Sequence, residues 1–204
     1  MTRVLMVCSA NVCRSPAMAI GFATAAREGG VRVDVVSAGR LAQPGAMICA
    51  VTAETVGVDE RSRQAATEHR AQRLSAELIE SAGLILGATR EERAAVAVMS
   101  PRSRSRVFTI AEAVALGEIA AERRFAPASG DVDEFVAALN AHRGRLPVTD
   151  RRVGPGRQSP WRRAPADPLD LPDAHGSRLA EHTRRVREAV RLSERLVALM
   201  APTN

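Results

Sequence analysis

Four short apolar runs divide the first half of the chain. They lie at residues 4–7, 31–36, 83–89 and 106–110. Continuous apolar runs of this length are typical of strands buried on both faces, whereas Arg32 and Asp34 alternate with valines and indicate a more exposed second strand. Helical segments are predicted at residues 17–28, 46–56, 75–81 and 90–98. Because parallel neighbours need crossover connections, this alternation predicts an α/β fold with a four-stranded parallel sheet covered by helices on both faces.

The pattern loosens after about residue 120. One helix is predicted at residues 132–142, and residues 143–165 are rich in Arg, Gly and Pro, which predicts a long loop. The chain ends in residues with heptad-like spacing: Leu179, Val186, Val190, Ser193, Val197 and Met200. This stripe predicts a long helix that packs one side on the core and exposes an Arg-rich side. The 204 residues are expected to form a single domain.

Composition narrows the class of partner. All 29 basic residues are Arg and the formal net charge is +6, which suits a phosphorylated partner because guanidinium binds phosphate in a bidentate geometry. Only 2% of the residues are aromatic and none is Tyr, so the sequence does not interleave basic and stacking side chains as nucleic-acid readers do. No apolar stretch has the length that spans a bilayer. We therefore expect neither a nucleic acid nor a membrane as partner.

Cysteine and histidine usage argues against structural disulfides and metal. The three cysteines, Cys8, Cys13 and Cys49, are too few for a disulfide framework, which predicts a reducing, cytoplasmic compartment. The histidines show no ligand spacing with one another or with the cysteines: His69, His142, His175 and His182. They are interpreted as surface or capping residues, and neither a metal site nor a cofactor is expected. Cys49, on the predicted helix at residues 46–56, is interpreted as a core residue.

The first apolar run ends on the stretch most indicative of chemistry. Cys8 and Arg14 are separated by five residues, the spacing at which a loop curls around a phosphate with its amide N–H groups pointing inward. Arg14 can then fork onto two phosphate oxygens. Ser15 is expected to cap the following helix and Pro16 to be its first residue. A helix N-terminus favours both a phosphate and a thiolate, so Cys8 is expected to ionise readily and act as a nucleophile.

This stretch resembles the N-terminal loop of the low-molecular-weight protein tyrosine phosphatase family, which reads C-x-G-N-x-C-R-S-P after a hydrophobic strand. The likeness continues in the sequence SAG at residues 37–39, in RSRQ at residues 61–64 and in LILGATREE around the third strand. It covers most of the chain. The residues that match the loop of the family are Cys8, Asn11, Cys13, Arg14, Ser15 and Pro16.

The resemblance implies a phosphatase that acts on a phosphorylated protein, at phosphotyrosine, or on small aryl phosphates, without a metal or cofactor. Cys8 would form a cysteinyl-phosphate that water then hydrolyses, while Arg14 would hold the phosphate oxygens. Ser15 would stabilise the thiolate as leaving group, and Asn11, bonded to Ser37, would hold the loop open. The residues expected to bind substrate are Ser9, Ala10, Asn11, Val12, Cys13 and Ser15.

A proton donor for the leaving oxygen is sought late in the chain, where the family places an Asp-Pro. The sequence ADPLDLPD offers Asp167, Asp170 and Asp173, of which only Asp167 precedes a proline. A residue before proline is held in an extended conformation, which helps to aim its carboxyl group. Asp167 is therefore the expected general acid, with Asp170 as the alternative.

Several positions depart from the family pattern. Ala10 replaces a Gly, and its methyl group would strain a backbone that needs positive φ. Leu169 occupies the position where the family usually has an aromatic residue that lines the cleft for the phenyl ring. Trp161 is the alternative aromatic residue for this role. Val12 is apolar where phosphoarginine phosphatases of this fold carry Thr, which favours a tyrosine-type substrate. As in the family, Cys13 can close a protective disulfide with Cys8, or it can be a small buried thiol.

Two other functions remain as alternatives. The departures at Ala10 and Leu169 leave open a catalytically weak protein that binds phosphate or phosphopeptides, because lost geometry harms catalysis more easily than binding. A thioredoxin-coupled arsenate reductase shares the fold and the loop, but its chemistry needs two further cysteines around the third strand. Residues 80–100 contain no cysteine, which makes this alternative the weaker one.

Overall fold

The computed structural model describes residues 1–123, 129–146 and 167–202. Four parallel strands form one sheet in the order β2-β1-β3-β4. The strands are β1 (Thr2–Cys8), β2 (Val33–Gly39), β3 (Ala82–Gly87) and β4 (Val107–Thr109). The two central strands, β1 and β3, are almost completely buried, as their uninterrupted apolar runs predict.

Helices connect the strands and follow the last one. They are α1 (Arg14–Glu28), α2 (Ala50–Val56), α3 (Glu60–Glu68), α4 (Ala76–Ser81), α5 (Arg90–Met99), α6 (Ile110–Glu122), α7 (Val132–His142) and α8 (Leu179–Met200). Two short 3-10 turns lie at Pro101–Ser105 and Arg143–Arg145. Most helix starts carry a side-chain cap, such as Thr109 at α6, which accepts a hydrogen bond from the Glu112 amide.

The sheet has an apolar layer on each face. Val4 and Met6 of β1 point to the larger layer, which α1, α6, α7 and α8 complete. Leu5 and Val7 alternate with them and point to a smaller layer closed by α4 and α5. The predicted fold, a parallel four-stranded sheet covered on both faces, is confirmed.

The structure corrects several predicted elements. The sequence pattern did not predict two helices: α3, which is almost wholly polar, and α6, an Ala-rich segment buried on most sides. Helix α2 begins at Ala50 rather than at residue 46, because the side chain of Cys49 caps it. Cys49 is therefore a half-buried capping residue and not a core residue. Helix α1 begins at Arg14, so Ser15 lies inside its first turn and is not its cap.

The C-terminal helix α8 packs along α1 and α6, which confirms its predicted role in the core. Its buried stripe starts at His182 and continues through Val186, Ala189, Ser193, Leu196, Val197 and Met200. Leu179 was expected in that stripe but is 68% exposed. The Arg-rich side faces solvent and forms ion pairs along the helix, such as Arg184 with Glu181.

The segment predicted as a loop at residues 143–165 starts with the 3-10 turn that follows α7. Residues 147–165, including Trp161, lie outside the described residues. Within the described ranges, no helix is both long and apolar enough to cross a membrane.

The buried apolar side chains of the central strands β1 and β3 are expected to stabilise the sheet. Leu86 of β3 is fully buried, so Leu86→Ala removes apolar contacts and leaves a cavity. We expect it to lower the free energy of unfolding by about 2–5 kcal/mol, measured by denaturant titration. Val98→Ala, on a side chain that is 81% exposed, is the control and is expected to change it by less than about 0.5 kcal/mol. Equal effects of the two substitutions would contradict this account of the core.

Candidate functional site

Residues 8–14, called here the 8–14 loop, join β1 to α1 at the carboxyl edge of the sheet. The carbonyl oxygens of this loop accept hydrogen bonds from groups that surround it. The carbonyls of Cys8 and Ser9 accept from the amides of Arg40 and Leu41, at 3.1 and 2.8 Å. The other donors are the Cys49 amide to Val12, the Ala17 amide to Cys13 and the His69 ring to Asn11.

These outward carbonyls fix the direction of the loop amides. None of the described peptide bonds is cis, and in a trans peptide the C=O and the following N–H point in opposite directions. Five carbonyls bonded to the outside therefore turn five N–H groups toward the inside of the loop. They belong to Ser9, Ala10, Val12, Cys13 and Arg14. Converging backbone N–H groups at a helix N-terminus form an anion-binding concavity.

Asn11 holds this loop in shape. It is completely buried and has φ of 57°, and it is the only non-glycine residue with positive φ in the described part of the chain. Its amide Nδ2 donates to Ser15 Oγ and to Ser37 Oγ, both at 2.9 Å, and its Oδ1 accepts from the Gln72 amide at 2.9 Å. Both polar atoms of the Asn11 side chain are thus hydrogen-bonded, and together they tie the loop to three neighbouring segments.

The position of Asn11 also removes the expected strain at Ala10. The left-handed residue of the loop is Asn11, a residue type that adopts this conformation readily, and Ala10 does not have positive φ. Ala10 is exposed at the tip of the loop. The methyl group that replaces the family's glycine therefore requires no unfavourable backbone angle.

The glycine that the loop needs is Gly39, at the end of β2. A Cβ atom there would lie 2.6 Å from the Ser9 carbonyl oxygen and 2.8 Å from the Asn11 amide nitrogen. These are backbone atoms of the loop, which cannot move aside as a flexible side chain can. The sequence SAG at residues 37–39 is thus explained by contact: Ser37 bonds Asn11, and Gly39 lets the loop approach β2.

Cys8 is buried at the start of the loop. Its Sγ accepts a hydrogen bond from the Asn11 amide at 3.2 Å and lies 3.0 Å from Ser15 Oγ. Ser15 is itself buried, and its Oγ donates to the Ala38 carbonyl at 3.3 Å. The hydroxyl has one proton, which is directed either to this carbonyl or to Cys8 Sγ, whereas the Asn11 amide donates to the sulfur.

Arg14, the last residue of the loop, is buried and held by the segment that precedes α8. Its Nη2 forms an ion pair of 2.9 Å with Asp173, and its Nη1 donates to the Leu171 carbonyl at 3.4 Å. The Asp173 side chain is 51% exposed, so this carboxylate lies at the mouth of the site. Asp173 was not selected by the sequence analysis.

Asp167 and Asp170 are both bound by another guanidinium. Asp167 has a side chain only 4% exposed and pairs with Arg90 Nη1 at 2.8 Å, while its Oδ1 accepts from the Leu169 amide at 3.0 Å. Asp170 pairs with the same Arg90, at 3.2 Å, and also accepts from its backbone amide at 2.8 Å. The turn that starts at Asp167-Pro168 thus directs its carboxylates to the first residue of α5.

A second group of side chains lies beside the loop. Cys13 Sγ is 2.9 Å from Cys49 Sγ and 3.1 Å from His175 Nδ1, and Cys49 Sγ is 3.6 Å from His182 Nε2. The four ligand atoms all lie within 4.8 Å of one another. We call these four residues the Cys–His cluster.

The structure corrects the surface position expected for His182, which is buried. His142, also buried, contacts the Ala138 carbonyl at the end of α7. Folding brings His175 and His182 to two cysteines that are far from them in sequence, a proximity that spacing along the chain does not indicate. All three cysteines are free thiols, and the sulfur that Cys13 contacts is that of Cys49. The hydrogen bond from Cys13 lowers the pKa of the Cys49 thiol to about 5, and the same contact together with burial raises the pKa of Cys13.

Other residues that support the loop also escaped the sequence analysis. His69 follows α3, and burial lowers its pKa, so the neutral ring donates Nε2–H to the Asn11 carbonyl at 2.8 Å. The backbone N–H of Gln72 donates to Asn11 Oδ1, and its side-chain Nε2 donates to the Ser37 carbonyl, at 2.9 Å each. These residues lie about sixty positions after the loop, and no local pattern marks them.

Comparison with known proteins identifies the family of the chain. The family model for low molecular weight phosphotyrosine protein phosphatases matches residues 3–140. A protein-arginine-phosphatase of Bacillus subtilis is 33% identical over 111 residues, which are 54% of this chain and 71% of that protein.

Two solved structures share the fold across almost the whole chain. A low molecular weight protein tyrosine phosphatase from T. tengcongensis superposes with a TM-score of 0.62 at 19% identity, covering 97% of this chain and 99% of its own. A mutant of YwlE from Bacillus subtilis superposes with a TM-score of 0.61 at 21% identity, covering 97% of each chain.

The close approach of Gly39 to the loop predicts a sharp sensitivity to one methyl group. We expect Gly39→Ala to displace the loop and weaken vanadate binding by at least about tenfold, since a backbone clash under 3 Å forces a shift. Isothermal titration with vanadate measures the effect. Gly144→Ala is the control, because no atom of the described residues lies within 4 Å of the added Cβ there. Unchanged vanadate affinity in Gly39→Ala would contradict this geometry.

Proposed function

Since this chain belongs to the low molecular weight phosphotyrosine protein phosphatase family, we propose that it hydrolyses phosphotyrosine or small aryl phosphates through a cysteinyl-phosphate on Cys8. The observation that carries this proposal is the set of outward-bonded carbonyls in the 8–14 loop, which turn its N–H groups inward, with Cys8 at one end and Arg14 at the other. Such a cradle suits a phosphoryl group that must be held while sulfur attacks it. Phosphatase activity itself follows from family membership.

In the first step the Cys8 thiolate attacks phosphorus and the bond between phosphorus and the ester oxygen breaks. The loop amides and Arg14 bind the three remaining phosphate oxygens, whose charge they neutralise as the reaction proceeds. In the second step water attacks the cysteinyl-phosphate and the thiolate leaves. The Ser15 hydroxyl, 3.0 Å from Cys8 Sγ, donates to the sulfur as it regains its charge.

The leaving oxygen takes a proton from a carboxyl group, and geometry favours Asp173 over Asp167 for this role. Asp173 lies 2.9 Å from Arg14, the residue that holds the phosphate, and half of its side chain is open to solvent. Asp167 is almost wholly buried and pairs with Arg90. A donor must come within hydrogen-bond reach of the leaving oxygen, and a carboxyl group at Arg14 fulfils this condition. The same carboxylate then takes the proton of the attacking water.

This assignment also places a ring at the mouth of the site. The family resemblance puts an aromatic residue two positions after the acid, and the residue two positions after Asp173 is His175. The His175 side chain is exposed beside the loop. Its ring, together with the half-buried Val12, can pack against the phenyl group of an aryl phosphate.

The B. subtilis relative favours a second candidate substrate, phosphoarginine on a protein. That relative is a protein-arginine-phosphatase and is 33% identical over the matched residues. The half-exposed carboxylate of Asp173 would suit a guanidinium leaving group as well as a phenol. Val12 argues for the aryl substrate, since phosphoarginine phosphatases of this fold carry Thr at that place.

The mechanism predicts distinct effects for three substitutions on p-nitrophenyl phosphate and phenyl phosphate. Cys8→Ser is expected to reduce kcat by at least about 10³-fold on both substrates, because it removes the nucleophile. Asp173→Asn is expected to reduce kcat by about 10²-fold or more on phenyl phosphate but much less on p-nitrophenyl phosphate, whose phenolate leaves without a proton. Asp167→Asn is expected to affect both substrates about equally, as a change in positioning.

If Asp167→Asn lowers kcat much more on phenyl phosphate than on p-nitrophenyl phosphate, and Asp173→Asn lowers both equally, Asp167 is the acid. A wild type that binds vanadate but hydrolyses neither ester would instead support the alternative of a phosphate-binding protein without turnover.

Substrate choice is tested with two peptides of the same flanking sequence, one carrying phosphotyrosine and one phosphoarginine. We expect kcat/KM to be higher for phosphotyrosine, and Val12→Thr to shift the ratio toward phosphoarginine by about tenfold, since one hydroxyl group in a pocket has an effect of this size. The substitution preserves the side-chain shape. A wild type that prefers phosphoarginine would make the second candidate the function.

A further inference from the structure

The Cys–His cluster contains the ligand set of a structural zinc site. Two thiols and two imidazoles are preferred ligands of Zn²⁺, which binds four of them tetrahedrally with Zn–S of about 2.3 Å and Zn–N of about 2.0–2.1 Å. In such a tetrahedron the ligand atoms are about 3.3–3.8 Å apart. The contacts in the cluster are 2.9, 3.1 and 3.6 Å, and all pairs lie within 4.8 Å. Shifts of less than about 1 Å at the ligand atoms would complete the tetrahedron.

The surroundings of the cluster also suit a metal ion. Cys13 and His182 are buried, Cys49 is half-buried and His175 is exposed, which leaves an entry path from solvent. The Thr52 hydroxyl and amide contact Cys49 Sγ at 3.0 and 3.4 Å, and such donors orient a metal-bound thiolate. Two thiolates balance the charge of Zn²⁺, so the complex can be partly buried without a net charge.

A disulfide explains the cluster less well. The distance of 2.9 Å between Cys13 Sγ and Cys49 Sγ lies between the S–S bond of about 2.05 Å and the separation of about 3.8 Å in a tetrahedral zinc site, so the histidines decide: a disulfide needs none. In the structure two imidazole rings point nitrogen atoms at the two sulfurs and pack edge-to-face, with centroids 5.6 Å apart. Imidazole nitrogens aimed at thiol sulfurs are the arrangement that a shared cation requires.

We propose that the Cys–His cluster binds one Zn²⁺ ion and that this ion fastens the segment before α8 to the 8–14 loop. The four ligands come from four places in the fold: the end of the loop, the start of α2, the segment that carries Asp173, and the first turn of α8. Metal binding replaces the protons of the two thiols and joins these parts through four bonds. Asp173, two residues before one ligand, is thereby held over Arg14.

Metal content tests the proposal directly. Protein purified without chelator from zinc-supplemented cells is expected to contain about one zinc per chain by mass spectrometry, and Cys49→Ser and His182→Asn to lose most of it. His142→Asn, at a buried histidine outside the cluster, is the matched control and is expected to keep its zinc. Cys8→Ser is also expected to keep it, which distinguishes the cluster from metal captured by the nucleophile.

Two further measurements use the wild type and do not depend on how the variants fold. Zinc at about 100 times its dissociation constant is expected to raise the Tm of the metal-free protein by about 5–10 °C. Cobalt(II) added to the metal-free protein is expected to give the visible bands of a tetrahedral thiolate complex.

Three outcomes would overturn the proposal. The first is wild-type protein that takes up less than about a tenth of an equivalent of zinc and shows no cobalt–thiolate bands. The second is zinc content lost in Cys8→Ser but kept in His182→Asn. The third is a Cys13–Cys49 disulfide found by peptide mapping under non-reducing conditions.

Discussion

The site depends on the buried carboxamide of Asn11. This residue turns the chain through a left-handed conformation, and its side chain ties the 8–14 loop to α1, to the end of β2 and to the segment after α3. A buried amide with all its bonds formed is stable, and one that lost a partner would cost about 1–3 kcal/mol for each unsatisfied group. The loop therefore has one well-defined shape, and its inward N–H groups follow from that shape.

The 167–173 segment divides its carboxylates between two guanidinium groups. Arg90 binds Asp167 and Asp170 and anchors the segment to the start of α5, while Asp173 is left for Arg14. Anchoring at one end places the other end over the loop. Arginine suits both positions, because its planar fork can bind two carboxylates at once or hold two oxygens of a phosphate. In the proposed reaction, a phosphate bound by Arg14 meets a carboxyl group already in place.

Sequence predicted those features that are encoded locally. The sheet followed from four apolar runs, and the 8–14 loop followed from a cysteine and an arginine placed between a buried strand and a helix. The sequence favours Asp167 as the acid because it precedes a proline, whereas the proposal of Asp173 depends on a contact that no local pattern marks: Arg90, about eighty residues earlier, pairs with the Asp167 carboxylate. The Cys–His cluster could not be read from spacing, since its members lie as far apart as Cys13 and His182 and meet only after α8 packs on α1.

The two cysteines of the loop have opposite surroundings, and the loop geometry explains why. Cys8 ends β1 and directs its sulfur toward the Asn11 amide and Ser15, inside the curve of the chain. Cys13 precedes the first turn of α1, and its sulfur meets Cys49 and His175. A thiol engaged with Cys49 and His175 has partners of its own, apart from the disulfide with Cys8 that the family resemblance implies. The same short loop thus directs the sulfur of the proposed nucleophile into its curve and the other sulfur toward the segment before α8.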